Sequence, residues 1–144
     1  MIILSVNANK ELSVNNTTTI YQSENNFEKI RIQIAPSISG HSIKELKANF
    51  NIINPDEEID VIELSPKEDN MGNFIQDILV KSAYTNLAGQ YKIFIKFLNS
   101  EGMVGKTNLV YYTVEEVDEP TGEIQEKLIT IVDQYNSKLI EITQ

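Results

Sequence analysis

Gln90 to Val117 reads QYKIFIKFLNSEGMVGKTNLVYYTVEEV. Tyr91, Ile93, Ile95 and Phe97 recur at every second position, with Lys92 and Lys96 between them. Successive side chains of a strand point to opposite faces, so this spacing predicts a half-buried strand. Asn99-Ser100-Glu101-Gly102 supplies the turn residues of a hairpin. The return segment, Lys106 to Val117, is rich in Val, Tyr and Thr, the residue types that favour strands.

The same period extends towards the N-terminus. Ile30, Ile32 and Ile34 alternate with Arg31, Gln33 and Ala35. Leu46, Ala48, Phe50 and Ile52 alternate with Lys47, Asn49 and Asn51. Asn54-Pro55-Asp56 is a turn, because proline cannot donate to a central ladder. Ile59–Leu64 and Phe74–Val80 read as strands, and the polar stretch Ser65–Gly72 between them reads as a loop. Ile2–Val6 and Thr18–Gln22 are further strands, while Asn15-Asn16 and Asn25-Asn26 mark loops. Six to eight short strands with no helical pattern between them predict an antiparallel β-sandwich or barrel over residues 1–117, and the small number of moderately long strands favours the sandwich.

At about Asp118 the period changes. Leu128, Val132, Tyr135, Leu139 and Ile142 follow a heptad seam, which Ile124 and Ile131 widen. Pro120 suits a first helical turn, Asp118 or Thr121 could cap it, and Glu119, Glu123 and Glu126 suit its positive end. The spacing predicts a C-terminal α-helix from Thr121 to Gln144, about 35 Å long at ~1.5 Å per residue. Such a helix needs burial, against its own sandwich or another chain. The acidic junction Glu115–Thr121 reads as a hinge, so the expectation is a second domain, 118–144, whose seam residues form a protein interface and a homo-oligomer. The pattern is still running at Gln144, as in a piece of a longer protein.

Composition narrows the function classes. The 144 residues carry 12 basic and 21 acidic side chains, a net charge of −9, which disfavours a phosphate backbone or an anionic membrane surface as partner. There is no cysteine, so disulfides, thiolate nucleophiles and cysteine zinc sites are excluded. No apolar run approaches the roughly 18 residues of a membrane span. The run Ile2-Ile3-Leu4 has no basic region before it and is too short for a signal peptide, so synthesis in a cytoplasm is expected.

The candidates for chemistry are sparse. His41, the only histidine, stands in Ser37-Ile38-Ser39-Gly40-His41-Ser42, without a G-x-S-x-G elbow, and reads as a loop residue. Asp56, Glu57, Glu58 and Asp60 lack the ligand spacing of an EF-hand and read as a solvated acidic turn. The six glycines are scattered and form no phosphate loop, and no tryptophan is present to stack on a sugar. The expectation is no enzyme, no metal and no cofactor.

The order of segments resembles the N-terminal domain of phage baseplate upper proteins of the BppU type. The likeness rests on the opening strand Ile2–Val6, on Lys29–Ile34 after an Asn-rich loop, and on Gly72-Asn73-Phe74. It continues through Leu87-Ala88-Gly89-Gln90-Tyr91-Lys92-Ile93 and the return Lys106–Val114. It implies an immunoglobulin-like β-sandwich in a structural virion protein of the tail tip, which attaches to the baseplate core and leads to receptor-binding proteins. Partners would be other baseplate and tail proteins. Two readings from other classes compete. A carbohydrate-binding or adhesive immunoglobulin-like module would show an exposed aromatic platform. A small hydrolase would show a deep pocket at His41 or an acidic pair.

Overall fold

A computed structural model describes residues 1–117. The described residues form thirteen strands: β1 (Ile2–Val6), β2 (Leu12–Asn16), β3 (Ile20–Tyr21), β4 (Lys29–Ile34), β5 (Ser37–Ile38), β6 (His41–Ser42), β7 (Lys47–Ile53), β8 (Ile59–Leu64), β9 (Lys67–Glu68), β10 (Phe74–Leu79), β11 (Gly89–Leu98), β12 (Val104–Lys106) and β13 (Val110–Glu115). One sheet runs β2-β1-β4-β10-β9; the other runs β3-β13-β11-β7-β8, with β12 also on β11. The alternating positions turn inward from both sheets into one core. Ile2, Leu4, Ile30, Ile32 and Ile34 face Phe50, Ile52, Tyr91, Ile93 and Ile95, all at most 2% exposed. Two sheets sharing one apolar interior form a β-sandwich.

The strand order is that of the immunoglobulin sandwich at its centre. β4-β10-β9 takes the places of strands B, E and D, and β13-β11-β7-β8 those of G, F, C and C′. Tyr91, near the start of the F-equivalent β11, accepts a hydrogen bond on its hydroxyl from the Leu87 N–H at 3.2 Å. That places it where immunoglobulin domains carry a tyrosine corner.

Several expectations need correction. Among the described residues the fold is mainly β and the expected helical part is absent there: the only helices are three-residue 3-10 turns, Ile43–Glu45 and Ser82–Tyr84. Period-two apolar alternation leaves no helical stripe in this span. The expected C-terminal helix, the domain 118–144 and the seam residues Ile124, Leu128, Ile131, Val132, Tyr135, Leu139 and Ile142 lie outside the described residues. The sandwich is not wholly antiparallel, since β1 pairs in parallel with β4 and β3 with β13.

Asn15-Asn16 belongs to a strand rather than a loop. Only Leu12 of β2 is buried, so this edge strand shows no alternation, and side chains help fasten it. The Asn15 amide donates to the Ser5 hydroxyl, and the Asn16 amide donates to the Met1 carbonyl at 2.7 Å. Ser65–Gly72 contains the short β9, paired with β10. The return strand is broken into β12 and β13. At the break Thr107 takes over the ladder: its N–H donates to the Ile95 carbonyl, and its hydroxyl accepts from the Ile95 N–H.

Candidate docking face of the six-stranded sheet

The site is built from strand residues that alternation sends outward. On β11 these are Lys92, Phe94, Lys96 and Leu98; on β7, Lys47, Asn49 and Ile53, with Asn51 on the same side but buried, its amide donating to the Asn49 carbonyl. Register sets them in rows. Tyr111, Lys92, Ile53 and Ile59 form one, and Phe94, Asn51 and Val61 the next. Lys106, Lys96, Asn49 and Glu63 follow, then Val104, Leu98 and Lys47. Ile59, Val61, Tyr111 and Val104 are 58%, 50%, 47% and 49% exposed. A solvated sheet face ordinarily carries polar side chains. A face mixing half-exposed apolar groups with lysines is instead a candidate for protein contact.

A depression of about 180 Å³ lies beside this face, under the β11–β12 hairpin. Lys10 and His41 line it together with Ile38, Phe97, Met103 and Val104. Its walls are turns fixed by local hydrogen bonds. Asn99 accepts on Oδ1 from the N–H groups of Glu101 and Met103, each at 2.9 Å, which shapes the hairpin tip. Ser39 and Gly40 adopt φ of 48° and 84°, the doubly left-handed pair of a two-residue hairpin between β5 and β6. The Ser39 N–H donates to the Ala8 carbonyl at 2.7 Å and ties that hairpin to the first turn.

The residues singled out from sequence are placed as follows. His41 is on the short strand β6, not in a loop, and it does reach a depression. No hydrogen bond links it to Ser39 or Ser42 among the described residues; the Ser42 hydroxyl instead accepts from the Lys44 N–H. A nucleophile and its base must be within hydrogen-bond reach, so the triad geometry is not assembled here. The carboxylates of Asp56 to Asp60 diverge. Glu58 accepts from the Asn54 amide at 2.8 Å, Glu57 pairs with Lys92 at 3.5 Å, and Asp60 accepts from the Tyr84 hydroxyl. Among the described residues no group of three acidic or histidine side chains converges for a metal. Tyr91 and Tyr112 are core residues, stacked with centroids 4.9 Å apart, whereas Tyr111 belongs to the outer face. Phe94 and Ile53 carried the signal for the docking face. They are apolar residues at positions where the alternation of their own strands calls for polar ones.

The chain matches no protein-family model and no curated protein. Among solved structures it is similar to the N-terminal domain of phage TP901-1 ORF48, with a TM-score of 0.48 and 11% identity over 78% of this chain and 96% of that one.

Proposed function

We propose that this chain is a non-enzymatic structural component of a phage tail baseplate. In this reading the sandwich attaches to the baseplate core and connects to receptor-binding proteins, with residues 118–144 leading towards them. It is made in the host cytoplasm and resides at the tail tip of the virion. The observation that carries this is the outer face of the six-stranded sheet, where Phe94, Ile53, Ile59, Val61 and Tyr111 stand among lysines. Such a face suits a broad protein contact better than a small molecule, because ligand sites are concave and commonly 300–1,000 Å³.

The sequence segments that resemble baseplate upper proteins also support the reading, since they form the frame behind this face. Ile2–Val6 and Lys29–Ile34 are the parallel pair β1–β4, and Leu87–Ile93 supplies the tyrosine corner. Antibody labelling of intact virions by electron microscopy tests it. Label at the tail tip is the expected result. Label elsewhere, or none on virions that contain no copy by mass spectrometry, overturns it.

A further inference from the structure

Lys96 and Lys106 are directly opposite each other in the β11–β12 ladder, and both side chains turn to the outer face. Opposed residues on neighbouring strands hold their Cβ atoms about 5 Å apart, and like charges there destabilise a sheet. One row further, Lys47, Leu98 and Val104 stand side by side. None of the three lysines has an ion-pair partner among the described residues. The acid of their row, Glu63, is two strands from Lys96, beyond Asn49.

Protection of a sheet edge explains a lysine on an exposed edge strand such as β12. It does not explain Lys96 or Lys47. β11 lies between β7 and its partners β12 and β13, and β7 lies between β11 and β8, so both are interior strands. In a chain of net charge −9, three unpaired lysines gathered around two apolar side chains form a surface of opposite sign to the rest.

We propose that this corner, Lys47, Lys96 and Lys106 around Leu98 and Val104, docks an acidic segment of a partner protein in which carboxylates flank an apolar side chain. The carboxylates would take the place of the missing counter-charges, and the apolar group would cover Leu98 and Val104. Charge complementarity selects this occupant. The proposal deepens the baseplate reading by giving the partner's chemistry, and its test has two arms.

In the first arm, the purified full chain is titrated with a synthetic peptide of alternating Glu and Leu, and with its Lys and Leu counterpart, while amide NMR shifts are followed. The acidic peptide should move the amides of Lys96–Leu98 and Val104–Lys106, and the basic one should not. In Lys96→Glu the apparent affinity should fall at least tenfold. Its melting temperature should be equal or higher, because an opposed lysine pair is relieved. No shifts, or equal binding by the variant, overturns the proposal. In the second arm, intact virions are treated with a carbodiimide, which joins amines to carboxylates in contact. Coupling of these lysines to another protein is expected. Coupling only to carboxylates within this chain, residues 118–144 included, overturns it. A chain that binds the peptide yet is absent from virions sinks the baseplate reading and leaves the docking corner standing.

Discussion

The side chain of Asn108 makes with Leu12 the two hydrogen bonds that a neighbouring strand would make: Oδ1 accepts from the Leu12 N–H at 2.7 Å, and Nδ2 donates to the Leu12 carbonyl at 2.9 Å. Leu12 begins β2 at the edge of one sheet, and Asn108 sits in the break between β12 and β13 of the other. One amide therefore sews the two sheets together. Leu12 is 3% exposed, so its backbone has poor access to water if the amide is removed. An unsatisfied buried polar group costs about 1–3 kcal/mol. Asn108→Ala should lower the unfolding free energy by about 2 kcal/mol, with an unchanged denaturant slope. Asn108→Asp should be at least as damaging, because it sets a carboxylate oxygen against the Leu12 carbonyl. Urea titrations of the three proteins check this. An Asp variant as stable as wild type would show that the donor half of the pair contributes nothing.

The tyrosine cluster predicts an alkaline limit to stability. The Tyr112 hydroxyl donates to the Tyr84 carbonyl at 2.7 Å, and burial raises its pKa far above the usual phenol range. Burial, then the hydrogen bond to Asp60, pushes Tyr84 up to about 12. An unfolded tyrosine releases its proton near pH 10. Above that pH the folded chain holds more protons than the unfolded one, so stability falls as pH rises. For Tyr84 the loss spans roughly pH 10 to 12, at a slope approaching about 1.4 kcal/mol per pH unit. Below pH 10 its contribution is fully present. Tyr84→Phe should flatten the decline between pH 10 and 12, read by denaturant titration at each pH. Identical slopes in variant and wild type would contradict the shift.

Metal removal should change nothing. Glu57, Glu58 and Asp60 hold separate partners, and among the described residues no acidic cluster converges for a metal. EDTA should leave the melting temperature within a degree. A bound Ca²⁺ worth about 1 kcal/mol would, on removal, lower it by several degrees in a domain of this size.

Where one face of a strand is buried, its period was readable: Ile30, Ile32 and Ile34, or Tyr91 to Phe97, announce their strands from the letters alone. β2 was not readable, because Leu12 is its only buried side chain, and neither its backbone ladder with β1 nor the asparagine amides that help fasten it leave a period in the sequence. The parallel pairing of β1 with β4 is likewise silent in sequence, since alternation sets which side chains turn inward but not which way the neighbour runs. The docking face was half visible. Lys92 and Lys96 stood out as the outward positions of β11, but Phe94 between them shows its meaning only beside Asn51 and Val61. The opposition of Lys96 and Lys106 depends on the hairpin register, which the Asn99 turn fixes.

Four turns of the sandwich share one plan, and it predicts a stabilising substitution. Asn7, Asn54, Asp69 and Asn99 each accept on Oδ1 from the N–H groups two and four residues on. In each, the residue three places after the head is left-handed: Lys10 at φ 64°, Glu57 at 66°, Gly72 at 85° and Gly102 at 83°. Two of the four positions use glycine, which takes this conformation without a Cβ clash, and two do not. A side chain there costs roughly 1–2 kcal/mol, while glycine loses about 0.5–1 kcal/mol through its freer unfolded chain. The difference favours glycine. Lys10 is the poorer site for the exchange, because its stem packs against Gly105. Glu57 gives up only an exposed contact with Lys92 at 3.5 Å, of the kind worth a few tenths of a kcal/mol. Glu57→Gly should therefore raise the unfolding free energy by up to about 1 kcal/mol, and Glu57→Ala should not. Denaturant midpoints of the two variants decide it: a gain in both would point to relief of acidic repulsion around Asp56 and Glu58 instead of backbone strain.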